Sequence, residues 1–172
     1  NDTIKRMSPM LKTFRHADGG LALFNGSTTG DPKQINSLLL KSGLKTQAVL
    51  SATHSGFHRL ASGRTIILID TGVPPSNTEN KWAHSGTLAF EMSSVRDRII
   101  VNCGMPQNAT RDWKQALRST AAHSTITIDN VNSSEIDIEG GYERHPGRVT
   151  CSRREISGSS IIEASYNGYL KV

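Results

Sequence analysis

The sequence predicts a mainly β protein, an antiparallel β-sandwich with one or two short helices near the N-terminus. Three observations support this. After about residue 45 the apolar residues stop recurring every three or four positions and begin to alternate. The alternating runs are short and rich in β-branched residues, and Gly, Pro, Asn or Asp separate them. Short strands joined by close turns are typical of antiparallel sandwiches.

Two helices are predicted before residue 45. Residues 3–14 place apolar side chains on one helical face, although Pro9 predicts a kink or a late start. The second helix has clearer boundaries. Asp31 can cap it, Pro32 suits its first position, and Gly43 suits its end.

The remainder predicts strands, hairpins and two long polar loops. We expect tight turns at residues 62–63 and 95–97. Residues 71–81 and 133–147 predict long loops, which is where binding residues are usually found. The predicted strands are residues 48–52, 56–60, 65–70, 87–93, 98–103, 124–129, 149–154 and 160–165.

Length and composition indicate a folded protein of one domain, or two at most. The chain has 172 residues, of which 35% are hydrophobic and 20% are charged. Its apolar runs are too short to predict a membrane span, which needs about 20 residues. The first residues show neither an initiating Met nor a signal-peptide layout, so we interpret the chain as an internal piece or a processed product.

The formal charge of +5 favours polyanionic partners. We predict no nucleic-acid partner, because the sequence has neither a recognised helix-in-groove motif nor a basic stripe studded with aromatic residues. The densest basic cluster comprises Arg144, Arg148, Arg153 and Arg154.

The two cysteines, Cys103 and Cys151, lack the C-x-x-C spacing of zinc ribbons and thioredoxin-like proteins. Both stand in apolar, strand-like runs. We therefore expect buried free thiols, with a disulfide between them as the alternative.

Six histidines divide into two groups. His84 and His123 stand at the starts of predicted strands, and hairpin geometry returns Asn102 toward the level of His84, whose strand face Trp82 shares. This set could hold a metal ion, bind a sugar carboxylate, or be hydrogen-bonded without any ligand. The other histidines are interpreted as ordinary surface residues: His16, His54, His58 and His145.

Three motifs occur in order at residues 82–91 (WAHSGTLAFE), 98–104 (RIIVNCG) and 117–129 (LRSTAAHSTITID). Together they resemble the C-terminal domain of the heparinase II/III-like polysaccharide lyases. Residues 15–26 (RHADGGLALFNG) and 57–63 (FHRLASG) also look like the bacterial branch of this family. The resemblance therefore covers nearly the whole chain.

The resemblance implies an α/α toroid followed by an antiparallel β-sandwich. Residues 1–45 would then be the end of the toroid and a linker with a short helix, and residues 46–172 a sandwich that is incomplete at its C-terminus. It also implies β-elimination on uronic-acid-containing acidic polysaccharide. That reaction needs a group to neutralise the uronate, a base and an acid. Most of these come from the toroid in the family, so we expect this chain to be inactive alone.

The family motifs transfer to particular residues here. The resemblance implies catalytic roles for His84 and His123, and substrate contacts for Trp82 and Arg118. It also implies a zinc site at His84, Asn102 and His123, and zinc is the cofactor that we consider. Trp82 replaces a family histidine and Asn102 replaces a carboxylate ligand. A neutral amide should weaken zinc binding, and Asn102→Asp should restore it.

Two functions stay open at this stage. The chain is either the sandwich portion of a lyase or a non-catalytic carbohydrate-binding or scaffolding domain that closes one wall of a cleft. The expected partners are an acidic polysaccharide and the N-terminal toroid of the same protein. The resemblance implies a location in the periplasm or cell envelope.

Overall fold

A computed structural model of the chain describes residues 2–43, 45–75, 82–136 and 142–170. Its helices are α1 (Asp2–Thr13), α2 (Pro32–Lys41) and α3 (Arg111–Arg118), and a 3₁₀ turn spans Thr120–Ala122. Its strands are β1 (Ser51–Ala52), β2 (Phe57–Ser62), β3 (Thr65–Asp70), β4 (Phe90–Ser94), β5 (Asp97–Ile100), β6 (Glu135–Ile136), β7 (Tyr142–Arg144), β8 (Val149–Ile156) and β9 (Ser159–Tyr166).

Both predicted N-terminal helices are present. The helix α1 begins at Asp2 and includes Pro9, so the predicted late start is wrong. The helix α2 follows its sequence signals: the Asp31 carboxylate accepts a hydrogen bond from Lys33 N at 2.8 Å, and Pro32 is the first helical residue. Gly43 adopts a φ of +64° just after the helix, in the left-handed region that glycine tolerates best. Among the described residues, no helix is long and apolar enough to cross a membrane.

Five antiparallel strands form the main sheet in the sequential order β1-β2-β3-β4-β5. Both predicted turns join neighbouring strands, since Ser62 pairs with Thr65 and Ser94 pairs with Asp97. Two further antiparallel pairs, β6-β7 and β8-β9, form separate two-stranded sheets. The mainly β, antiparallel prediction is therefore confirmed.

The two faces of the main sheet have different neighbours. One face carries Leu68, which is buried together with Phe24, Ala22 and Ala89 in the hydrophobic core. On this face three aromatic rings, those of Phe14, Phe24 and Phe57, pack edge to face. The opposite face is approached by the β8-β9 hairpin, whose Arg153 donates hydrogen bonds to the carbonyl oxygens of Leu50 and Arg59.

One predicted strand starts later than expected and another is a loop. The predicted strand 87–93 corresponds to β4, which starts only at Phe90 because residues 87–88 form a turn with Leu88 at a φ of +60°. Residues 124–129 form one isolated bridge, Ile128 to Val131. At the start of this segment a side chain takes the place of a neighbouring strand. The Asn102 amide oxygen accepts the hydrogen bond of Ser124 N at 3.0 Å.

The sequence interpretation also missed one helix and part of a sheet. The helix α3 is capped by Thr110, whose hydroxyl accepts from Trp113 N at 3.4 Å. Its residues 111–116 are all exposed, so no buried apolar face marks this helix in the sequence. The predicted loop 133–147 contains β6 and β7, and its residues 137–141 lie outside the described residues.

Several predictions about burial were wrong. His16 and His58 are buried rather than exposed, because each ring is enclosed by partners from other elements. Cys103 and Cys151 are free but exposed, since neither stands in the interior of the packed core.

Three of the four arginines in the basic cluster make side-chain contacts within the described part of the chain. Arg144 donates to Glu135 and to the carbonyl oxygens of Asn132 and Gly168. Arg153 and Arg154 pair with Glu155 and Glu163. The cluster therefore supports the fold more directly than it supports a polyanion site.

Candidate functional site

His84 and His123 are in direct contact. His84 Nδ1 lies 3.0 Å from His123 Nε2, and the two rings meet edge to face with their centres 5.1 Å apart. His84 lies in the loop before β4, and His123 follows the 3₁₀ turn after α3. The structure thus brings together the two histidines that the sequence singled out.

The hydrogen bond to Ser119 defines the tautomer of His123. His123 Nδ1 lies 2.7 Å from the carbonyl oxygen of Ser119, which can only accept, so Nδ1 carries a proton. In a neutral imidazole the other nitrogen, Nε2, is then an acceptor, and it faces His84 Nδ1. The His84 ring also interacts with the backbone carbonyl oxygen of Leu117.

Burial keeps both rings neutral. It lowers the pKa of His84 to about 3, and the positive charges that His123 and Arg118 can carry lower it further, while the Leu117 carbonyl opposes the shift. Burial also lowers the pKa of His123, against the hydrogen bond to Ser119. Near neutral pH the pair is therefore a hydrogen-bonding unit rather than a cation.

Two glycines make room for the pair. A Cβ on Gly26 would lie 2.9 Å from His84 Nε2, and Gly26 has a φ of +74°. A Cβ on Gly86 would lie 2.7 Å from His123 Cδ2. Next to Gly26, the Asn25 side chain accepts a hydrogen bond from His84 N at 3.3 Å.

His84 lines a cavity of about 670 Å³. The cavity lies between the loop after β1, the end of β3 and the segment that carries His84. A volume of this size is in the range of sites for small ligands. Its polar lining residues include Asn25, Thr53, His54, Asp70, Thr71 and Thr87.

Asp70 is the acidic group of this cavity. Among the described residues its carboxylate accepts one hydrogen bond, from Gly72 N at 2.9 Å. Burial raises the pKa of Asp70 to about 7, and the Gly72 hydrogen bond only partly offsets this. Asp70 can therefore exchange a proton near neutral pH.

Asn102 does not face the histidine pair with a free amide. Its Nδ2 donates to Glu91 Oε1 at 3.2 Å, and its Oδ1 accepts from Ser124 N and Oγ. The amide thus links Glu91 to the residue that follows His123.

The zinc site that the family implies does not fit these donors. Tetrahedral zinc sites use Cys, His and carboxylate ligands. Here the pair supplies two imidazoles, while Asn102 supplies a neutral oxygen that two hydrogen bonds already occupy. In the described ranges, no group of three or more His, Cys, Asp or Glu side chains could hold a metal ion.

Trp82 and Arg118 do not line the cavity among its described residues. Trp82 is largely exposed. Arg118 is buried, and its Nε donates to the Ala83 carbonyl oxygen at 2.9 Å while its own carbonyl accepts from Ser85 N. Arg118 therefore positions the segment that carries His84, and its role in substrate binding stays a prediction.

The sequence interpretation missed Asn25, His54 and Asp70. Asn25 lies in the segment 15–26 that resembles the family, but the sequence interpretation assigned it no role. Asp70 ends the predicted strand 65–70 immediately before a long loop, which was the available signal that it could line a site. His54 carries no signal that separates it from a surface histidine.

Comparison with known proteins identifies the family of the chain. The family model described as "Heparinase II/III-like, C-terminal" matches residues 45–172. The chain belongs to this family. The match covers the whole main sheet, the histidine pair and the β8-β9 hairpin.

Solved structures share the fold at low sequence identity. The crystal structure of a heparinase III matches with a TM-score of 0.65 and 10% identity, over 96% of this chain and 32% of that one. A mutant of the heparan sulfate lyase HepC from Pedobacter heparinus matches with a TM-score of 0.62 and 16% identity, over 98% of this chain and 28% of that one.

One curated relative is closer in sequence. FtsZ-localized protein C of Caulobacter vibrioides is 31% identical over 125 residues, which are 73% of this chain and 21% of the relative. The chain thus spans about a fifth of the curated relative and about a third or less of the solved structures.

Proposed function

We propose that this chain is the sandwich wall of a heparinase II/III-like lyase that cleaves uronic-acid-containing polysaccharide by β-elimination. In this proposal a helical toroid of the same protein supplies the base and the acid. The observation that carries it is the cavity beside His84, whose lining combines imidazole rings, hydroxyls and an amide. These groups suit the hydroxyls of a sugar ring.

The charge of the cavity explains why the chain alone should be inactive. Among the described residues, none that lines the cavity is Lys or Arg. Stabilising the enolate that develops on a uronate carboxylate needs positive charge or strong donors. Asp70 adds negative charge when it is ionised. The neutralising group must therefore come from another part of the full protein.

Two measurements on the 172-residue chain test this proposal. With heparin, heparan sulfate and alginate we expect no ultraviolet-absorbing unsaturated product. We do expect binding of heparan sulfate oligosaccharides by titration calorimetry, with Asn25→Ala weakening it on the order of tenfold. Asn108→Ala, at an exposed asparagine outside the cavity, is the matched control. Steady product formation, or equal binding by both variants, would contradict the proposal.

A polypeptide that includes the proposed toroid tests the reaction itself. We expect it to release unsaturated product, and His84→Ala to lower the rate. An inactive longer protein that still binds oligosaccharide through Asn25 would instead favour a non-catalytic carbohydrate-binding domain.

The scaffolding alternative has its own support. The curated relative is named for localisation with FtsZ, and the family histidine and carboxylate are replaced here by Trp82 and Asn102. If the chain acts as a scaffold, the full protein should co-localise with FtsZ in cells, and Asn25→Ala should not disturb that pattern. The proposed location in the periplasm or cell envelope is tested by the same imaging.

A further inference from the structure

A second cluster of reactive side chains shares no residue with the lining of the His84 cavity. His58 on β2 is buried and points toward the β8-β9 hairpin. Its Nε2 lies 3.4 Å from the Sγ of Cys151, and its Nδ1 lies 3.0 Å from the hydroxyl of Ser51. The imidazole of His58 thus lies between the Cys151 thiol and the Ser51 hydroxyl.

The fold holds these groups in place. Ser51 and His58 are directly paired across β1 and β2. Arg153, two residues beyond Cys151 on β8, donates to the carbonyl oxygens of Leu50 and Arg59, which neighbour Ser51 and His58 in sequence. The hairpin is thereby fixed to the sheet at the point where the thiol meets the imidazole.

The His58 ring is in the neutral form that a general base requires. Burial lowers the pKa of His58, and the Arg153 charge lowers it further, so the ring is neutral at physiological pH. If Nδ1 carries the proton and donates to the Ser51 hydroxyl, Nε2 is free to accept the thiol proton. A nucleophile beside a base that a third group orients is the arrangement used for activated thiols.

We propose that Cys151 is a reactive thiol that undergoes thiol–disulfide exchange with small disulfides, with His58 as its general base. Cys151 is exposed, so a small disulfide can approach it. His58 Nε2 takes the thiol proton as the sulfur attacks one sulfur of the disulfide. The disulfide bond breaks, one half becomes bonded to Cys151, and the other half leaves as a thiolate that recovers the proton.

Cys103 provides the matched control. It is also exposed and free, and among the described residues its side chain makes no hydrogen bond or ion pair. Exposure alone therefore predicts equal reactivity of the two cysteines, whereas base assistance predicts that Cys151 is faster.

The experiment uses two single-cysteine proteins, Cys103→Ser and Cys151→Ser. Each is mixed with glutathione disulfide, and the mixed disulfide is followed by intact mass spectrometry. Cys151 should react at least about tenfold faster than Cys103, consistent with the usual gain from general base catalysis. Equal rates would overturn the proposal.

Replacement of His58 separates base catalysis from exposure. In the Cys103→Ser background, His58→Gln keeps a polar side chain but removes the base, and the Cys151 rate should fall about tenfold. In the Cys151→Ser background the same change should leave the Cys103 rate unaltered, which reports that the fold persists. A Cys151 rate insensitive to His58→Gln would overturn the proposal.

Ser51 acts as a positioning residue for the His58 ring. Its replacement gives an independent test if the His58→Gln variant does not fold. Ser51→Ala should slow Cys151, and Ser51→Thr, which keeps the hydroxyl, should restore the rate. Slowing by both variants to the same extent would contradict the role assigned to the hydroxyl.

Discussion

Glu91 on β4 and Asp70 on β3 point to the same face of the main sheet, yet their surroundings differ. Glu91 is completely buried and accepts hydrogen bonds from Leu23 N, Asn102 N and Asn102 Nδ2. It also lies 2.9 Å from His16 Nε2. Asp70 accepts one hydrogen bond among the described residues and lines a cavity.

This difference distinguishes a structural carboxylate from one that can bind a ligand. Groups of the protein itself fill the hydrogen-bonding capacity of Glu91, and these contacts hold the segment before α2 against the sheet. Asp70 is left with acceptor capacity facing a cavity, a pattern that is typical of binding sites. The two carboxylates should therefore respond to mutation in opposite directions.

The largest effect is expected at Glu91. Glu91→Ala leaves His16 and two backbone N–H groups buried without their acceptor, and should cost about 3 to 5 kcal/mol of the free energy of unfolding. Urea denaturation followed by circular dichroism measures this. Glu163→Ala, at an exposed glutamate, is the control and should change stability by less than about 0.5 kcal/mol. A cost at Glu91 as small as the control would show that the network is not structural.

Asn102→Asp should be the next most harmful change. It replaces the Nδ2 donor to Glu91 by a carboxylate, which places two negative charges together in a buried site. We expect a loss of about 2 to 4 kcal/mol near neutral pH, measured by urea denaturation.

This expectation corrects the one drawn from the resemblance, in which Asn102→Asp restores zinc binding. Melting temperatures with and without added zinc distinguish the two. A zinc-dependent rise in the variant, lost on His123→Ala, would show that the site accepts the metal after all.

Asp70→Asn should stabilise the protein, and only at higher pH. The folded-state pKa of about 7 lies above the ordinary value of 3.8, so the wild type loses stability as pH rises between these values. Asn cannot ionise and still accepts from Gly72 N. We expect a gain of about 1 to 3 kcal/mol at about pH 8 and almost none at about pH 4, measured by urea denaturation. A gain that does not vary with pH would contradict the assigned ionisation.

Local chemistry was readable from the sequence, and long-range contacts were not. The Asp31 cap and the turns at 62–63 and 95–97 each depend on a few neighbouring residues, and each was predicted. The nearness of His84 and His123 followed from family motifs rather than from any local pattern. Glu91 and Leu23 are 68 positions apart, so no periodicity indicates their hydrogen bond. For the same reason His16 was interpreted as a surface residue.

The smallest effect is expected for the ion pair between Arg154 and Glu163 on the β8-β9 hairpin. Their side chains are 54% and 62% exposed, so water already solvates both charges and the pair gains little when it forms. A double-mutant cycle with Arg154→Ala and Glu163→Ala should give a coupling of less than about 0.5 kcal/mol, reduced further by added salt. A coupling comparable to the cost of Glu91→Ala would contradict the comparison, because burial would then not be what separates strong from weak charged contacts in this protein.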